Sequence, residues 1–326
     1  MNKEGKAMIS RRELMGGAAA IAASTIMSPY ALGRSASRGM RRPNSNFNGV
    51  QIGTITYSFR SMPSSAEDIL KYTVRCGLSA IELMGDAAEN FAGMPRGAGR
   101  GRRRNMTDEQ RQAQRKAQED QLKWRLSMSM NKYKALRKLY NDAGVNIHIV
   151  KFGSIGNANM SDGEIEYYFN VAKALGAKGI TRELSEDAAR RLGPIADEHK
   201  IMIGFHNHTQ LKSTTYDGPI LSHGKYLGIN FDIGHFVAGT NESPIPLIQK
   251  FHDRILSLHL KDRKVNNGPN KPFGEGDTPV ALILQLMKRE GWKFPADIEL
   301  EYKVPKGSNA VAEVTKCVQF CRESLA

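Results

Sequence analysis

From residue 50 onward, short β-rich apolar runs recur along the chain, separated by stretches with helical spacing. The runs are Val50–Tyr57, Leu78–Met84, Val145–Phe152, Lys178–Leu184, Ile201–Asn207, Leu227–Ile233, Ile255–Lys261 and Ala296–Tyr302. Each has the length and residue types of a strand. Between them, segments such as Glu164–Leu175 and Ser185–His199 carry helical patterning, with Ser185 placed to cap an N-terminus. Strand–helix alternation predicts parallel βαβ units, and eight of them predict a closed α/β (β/α)8 barrel.

Two regions fall outside this pattern. Residues 1–37 begin with charges, carry Arg11-Arg12, and continue as a Gly/Ala-rich apolar run from Leu14 to Met27. That run is shorter than the ~20 residues a bilayer span needs. It resembles a twin-arginine export signal, with small residues from Ala31 to Ser37 available for cleavage. Export to the periplasm, or otherwise out of the cytoplasm, is therefore expected, with no membrane span once the signal is removed. The second region, 93–125, follows the second strand; it opens Gly/Arg-rich and continues as a Gln/Arg/Lys-rich helix. Setting both aside leaves a chain close to the ~250 residues typical of this barrel, so 48–326 is predicted to be one domain with an insertion. The insertion lies on the side where active-site loops emerge, as a lid, a partner contact or a solvated excursion.

Charge changes this picture little. The chain of 326 residues carries a formal net charge of +14, which would suit a nucleic-acid partner. Yet residues 1–37 hold +3 of it and 96–125 hold +6. The barrel itself is only mildly basic, and no nucleic-acid partner is expected. The three cysteines have no metal-type spacing; Cys317 and Cys321 share a helix face, as core residues do.

Histidines concentrate between 199 and 259, and with the carboxylates they fall where the later strands end. Alternate strand residues point inward, and those at the C-terminal ends line the mouth. This places Thr181 and Glu183 on one face of the fourth strand, and His206 and His208 on one face of the fifth. Asn230 and Asp232 share the sixth, with His235 just beyond. Ser257, His259 and Lys261 share the seventh, and Glu299 and Glu301 the eighth. Buried carboxylates are costly unless paired or metal-bound, so a cation is expected among them. Carboxylates with imidazole suit Mn²⁺, Mg²⁺, Co²⁺ or Zn²⁺. Glu82 ends the second strand, where it touches substrate or braces the barrel. His148 is read as a core histidine. Tyr57 and Phe59 offer an apolar wall at the first strand's end. The Gly274-Glu275-Gly276-Asp277 loop reads as a turn rather than a phosphate cradle.

Several segments resemble the xylose isomerase-like barrel superfamily, which includes sugar isomerases and epimerases related to endonuclease IV. They are Gly176 to Glu183, His206-Asn207-His208, Phe231 to His235 and Leu258 to Asp262. Phe273 to Asp277 and Gly291-Trp292 leading into Ile298-Glu299 continue the match. The resemblance covers roughly 50–325. It implies one divalent metal held by Glu183, Asp232, His259 and Glu299, with Glu301 as the rival for Glu299. It implies Glu183 and Glu299 as paired acid–base groups beside an ene-diolate, assisted by His235 and His206. His208, Lys261, Asn207 and Glu82 would contact a carbohydrate.

The resulting expectation is a metal-dependent isomerase or epimerase of a sugar or sugar-like polyol. A lyase or hydrolase of oxidised sugars or keto-glycosides uses the same proton abstraction and is the enzymatic alternative. A non-catalytic carbohydrate-binding protein is the other. Abasic-site DNA cleavage is disfavoured, because Glu82-Leu83-Met84 supplies no extra histidine for a three-metal cluster.

Overall fold

The structure is a computed structural model that describes residues 42–95, 97 and 106–326; the expected export signal and residues 96 and 98–105 of the basic insertion lie outside the described residues. Every predicted run contains a barrel strand. We number them β1 (Val50–Ile55), β2 (Ala80–Met84), β3 (Asn146–Lys151), β4 (Gly179–Glu183), β5 (Met202–His206), β6 (Leu227–Asp232), β7 (Ile255–Leu260) and β8 (Ala296–Ile298). Neighbours pair in parallel around the ring, and β8 returns to β1, closing the barrel. The chain is thus a single-domain (β/α)8 barrel.

Helices cover the outside of the strands. They are α1 (Ala66–Arg75), α2 (Gly85–Ala92), α3 (Asp108–Ser127), α4 (Asn131–Asp142) and α5 (Asp162–Leu175). α6 (Glu186–His199), α7 (Ile233–Thr240), α8 (Ile245–Phe251), α9 (Val280–Glu290) and α10 (Ala310–Ser324) complete the described set. Their starts are written locally. Ser65, Ser161, Ser185 and Asn309 each accept a first-turn N–H, which satisfies a donor that has no partner within the helix. No helix among the described residues is long and apolar enough to cross a membrane.

The first and last strands are shorter than predicted, for a shared reason. After Ile55 the chain winds into a 3₁₀ turn over Thr56–Phe59, which drives Phe59 into the core against the Tyr72 ring. Ser58 Oγ in that turn donates to Ile298 O and accepts from Leu300 N, both at 2.9 Å. These side-chain bonds replace the strand ladder where β8 stops, so the predicted stretch to Tyr302 continues as irregular backbone.

The helical part of the basic insertion is α3. A capping box between Thr107 and Gln110 starts it, and no residue along it is buried. It is tied to the barrel at its end. Arg125 grips both oxygens of Glu89 on α2 at 2.7 and 3.1 Å and Glu164 on α5 at 3.0 Å. Trp124 packs edge-on against Tyr167. The cysteines are buried, with the Cys76 and Cys317 thiols pushed up by burial to about 11 and about 12. Such thiols are inert core residues.

Candidate active site

The chemistry gathers where β4–β8 end. On β6, Asp232 doubles as the N-cap of α7: its Oδ1 accepts from His235 N at 2.7 Å. The cap fixes the carboxylate's rotamer and leaves Oδ2 buried, without a well-aligned hydrogen bond, 2.8 Å from Lys261 Nζ. Gly234 is required beside it, because a Cβ there would lie 2.5 Å from Lys261 O.

His206, Asp232, His259 and Glu299 are all buried, and one ligand atom from each lies within 4.8 Å of the others. Three of these are the ligands implied by the resemblance. Glu183 stands instead in an adjoining group with His206 and His208, so His206 is common to both. Glu183 accepts from His208 Nε2 at 2.9 Å and pairs with Lys151 at 3.2 Å. Burial would raise its pKa, but His208 and Lys151 hold it down at about 2. Glu299 rather than Glu301 joins the central group. Glu301 lies outside it, 2.7 Å from Lys261 Nζ.

His206 is prepared as an acceptor. Asn230 Nδ2 donates to Ser257 Oγ at 2.6 Å and to Glu82 at 3.3 Å, which turns its Oδ1 toward His206 Nδ1 at 2.7 Å. That bond places the His206 proton on Nδ1 and leaves Nε2 with its lone pair. Burial, reinforced by Lys151 and His259, keeps the ring neutral, with its pKa well below the ordinary value.

His259 lies between two glutamates, with Nε2 2.8 Å from Glu82 and Nδ1 3.0 Å from Glu299. Burial alone would lower its pKa, but the two carboxylates raise it to about 10. Glu82 is fully buried below it and also accepts from Thr181 Oγ1 at 2.5 Å. Glu82 thus joins β2 to Thr181 on β4, Asn230 on β6 and His259 on β7.

Lys261 Nζ completes the cluster, 2.8 Å from Asp232, 3.1 Å from Glu299 and 2.9 Å from His235 Nε2. Burial would lower the ammonium pKa, but Asp232, Glu299 and Glu301 outweigh it and raise it. Glu299 is held well below the ordinary range by Lys261 and His259 against the opposing effect of burial.

Two expected contacts move. Asn207, expected at the substrate, is fully buried: it accepts from Asp232 N at 2.9 Å and donates to Asp232 O at 3.1 Å. Its amide clamps the end of β6 to β5 and has no face left for a ligand. The apolar wall is also divided, since Phe59 is core while Tyr57 stays half-exposed under Arg60. His148 is a core histidine, 2.8 Å from Asp297. The Gly274–Asp277 loop closes on the chain's own carboxylate: Asp262 accepts from Gly274, Gly276 and Thr278 N–H groups at 2.8–3.1 Å. Only glycine fits at 276, where a Cβ would fall 1.9 Å from Asp262.

Lys151, Arg263 and Asp297 were not singled out from sequence as site residues or partners, whereas Asn230 was placed on the inward face of its strand without a role. The alternation that places Glu299 and Glu301 inward also places Asp297 inward. Lys151 and Arg263 had no such signal, because one ends a strand whose polar partners come from its neighbour and the other sits on a two-residue ribbon strand beyond the barrel.

Two carboxylates and two imidazoles at one buried point fit a divalent transition metal. Asp232 Oδ2, which accepts no aligned hydrogen bond and is held only by the Lys261 charge 2.8 Å away, and the His206 Nε2 lone pair are the features a ligand set requires. Loading would take a proton from His259, while Glu82 would keep that ring oriented.

A closed barrel with a buried His/Asp/Glu group at its C-terminal mouth defines a class of barrel proteins able to hold a metal there. A family model described as the xylose isomerase-like TIM barrel matches residues 70–322, and the chain belongs to this family. The chain is 30% identical over 95 residues to the L-ribulose-5-phosphate 3-epimerase UlaE of Salmonella paratyphi A, covering 29% of this chain and 32% of that protein. It is 30% identical over 103 residues to the inosose dehydratase of Clostridium beijerinckii, covering 30% and 32%. The matches therefore span about a third of the length of these curated relatives. The solved structure of the 3-keto-D-glucoside 4-epimerase YcjR from E. coli is similar at a TM-score of 0.55 and 13% identity, covering 84% of this chain and 99% of that one. At that identity the likeness concerns the fold.

Proposed function

We propose that this protein is a metal-dependent isomerase or epimerase of a sugar or sugar-like polyol. The observation that carries the reading is the pair of residue groups sharing His206, with ionised Glu183 half-exposed at the rim of the barrel mouth and ionised Glu299 buried. His206, Asp232, His259 and Glu299 would hold the metal, with Glu183 beside them. When bound, it would polarise a substrate carbonyl or hydroxyl and make the neighbouring C–H more acidic. Glu183 is placed to remove that proton, and His208 behind it is placed to relay it. Glu299 takes the second proton-transfer position. Lys261 brings positive charge to the oxygen that becomes an enolate.

A second reading is supported by the N–H donors Lys261 and His235 on the carboxylate side of the cleft. With a leaving group next to the carbanion, the same abstraction ends in elimination, as the likeness to an inosose dehydratase would suggest. We further propose twin-arginine export on the strength of Ser10 to Met27, which favours a free sugar over a phosphorylated one. Fractionation of Arg11→Lys/Arg12→Lys chains checks this, and unchanged export would refute it.

The functional test combines metal analysis of the purified protein with proton–deuterium exchange in D₂O against free sugars and keto-sugars. Exchange at a carbon next to a carbonyl is expected, together with its loss in Glu183→Gln. An active substrate that shows no exchange would sink the mechanism. Recovery of an isomer identifies the first reading, and release of water or an aglycone the second.

A further inference from the structure

His235 lies between two donors. Its Nδ1 is 2.7 Å from Arg263 Nη1, and its Nε2 is 2.9 Å from Lys261 Nζ. Neither neighbour can accept a hydrogen bond, since guanidinium and ammonium carry only N–H groups. A neutral imidazole has one N–H and one acceptor nitrogen, so it can satisfy only one of them.

The surroundings decide which. Arg263 is fixed: its Nε and Nη2 donate to Gly268 O at 3.1 and 2.7 Å, and its backbone N–H donates to Thr278 Oγ1 at 3.1 Å. It sits on a two-strand ribbon, Asp262–Arg263 against Asn270–Lys271. The adjoining 274–278 loop is locked by Asp262. With Nε and Nη2 occupied, Nη1 is directed at His235. Lys261 has other acceptors, because Asp232, Glu299 and Glu301 all lie within 3.1 Å of its Nζ. The lone pair of His235 therefore belongs to Arg263, and its proton stays on Nε2. There it faces a second donor, with Asp232 and Glu301 oxygens no nearer than 3.8 Å.

We propose that Arg263 is a positioning residue that sets the Nε2–H tautomer of His235, so that His235 and Lys261 together present two N–H donors to one substrate oxyanion. The oxygen they suit is that of a carbonyl becoming an enolate, which accepts from both and relieves the donor–donor contact. The tautomer is a property of the protein alone. Its use on an enolate rests on the function proposed above.

Two-bond ¹H–¹⁵N correlation of protein labelled at histidine reads the tautomer, with the His235 signals assigned through His235→Gln. The expected result is a protonated Nε2 and an acceptor Nδ1 in the unsubstituted protein. In Arg263→Met the equilibrium shifts toward Nδ1–H, with Lys261 donating to Nε2. A protonated Nδ1 in the unsubstituted protein overturns the proposal, whether or not the variant folds. So does an unchanged tautomer in folded Arg263→Met. In the exchange assay, Arg263→Met should lower kcat about 10- to 100-fold with KM nearly unchanged. A purely structural Arg263 would lower thermal stability and leave the tautomer and kcat alone. If exchange is absent from the unsubstituted protein but the tautomer responds as stated, the functional reading fails and the positioning role stands.

Discussion

Two clusters in this molecule, one half-buried and one buried, each gather carboxylates around one cation, and they are built to opposite ends. In the helix layer Arg125 holds Glu89 and Glu164, and Tyr167 adds a hydroxyl bond to Glu89 at 3.0 Å. At the barrel mouth Lys261 holds Asp232, Glu299 and Glu301. The planar guanidinium fork meets both oxygens of Glu89, a geometry suited to a permanent clamp. The ammonium is a point charge on a flexible stem among more groups than it can bond. Asp232 Oδ2 accepts no aligned hydrogen bond, and His235 faces donors on both sides. One cluster is closed on itself. The other has its charges in place but leaves Asp232 Oδ2 and one side of His235 without a hydrogen-bond acceptor or donor of the right kind.

The largest expected effect comes from breaking the mouth. Asp232→Asn or Glu299→Gln should abolish stoichiometric metal uptake and reduce turnover about 10²- to 10⁴-fold, with little loss of thermal stability. Metal analysis, the exchange assay and calorimetry check this. A large stability loss with activity retained would make the mouth a structural clamp like the other cluster.

Arg125→Met tests the clamp in the opposite sense. It leaves Glu89 buried without its cation and should cost about 3 kcal/mol in denaturant unfolding. Turnover per folded molecule should not change. Smaller again is Gly276→Ala, whose Cβ would press on Asp262 and on Arg263 N and so displace the loop from the ribbon that carries Arg263. A cost of about 1–3 kcal/mol is expected in thermal unfolding.

The smallest effect depends on pH. Glu183 raises the pKa of His208, a half-exposed partner. A raised histidine stabilises the fold fully below its unfolded value of 6.5, and the contribution disappears as pH rises through the folded value. His208→Gln should therefore lower the unfolding free energy at pH 5.5 by less than about 1 kcal/mol, for so exposed a pair, and leave it unchanged at pH 9 in denaturant unfolding.

The barrel was legible because strand and helix periodicities are local. Parity along single strands then placed Glu183, His206, Asp232, His259 and Glu299 near one mouth. What parity does not carry is rotamer and depth. Glu183 and Glu299 look equivalent along the chain, yet one pairs with Lys151 and His208 at the rim while the other lies buried against Lys261. Asn207 stands between two histidines that face the cleft, but the pleat turns it to the β6 backbone.

By itself, then, the chain's own pattern determined eight strands, their order, and which side chains reach the C-terminal ends, since each depends on neighbours a few residues apart. The tertiary structure alone decided that Glu82 braces His259 across 177 positions, that Arg125 anchors the basic helix, and that Arg263 meets His235. Those contacts join side chains from separate strands, helices and loops. They exist only once closure of the barrel brings its elements into one ring, where burial makes each unpaired charge and donor find a partner or keep a place for one.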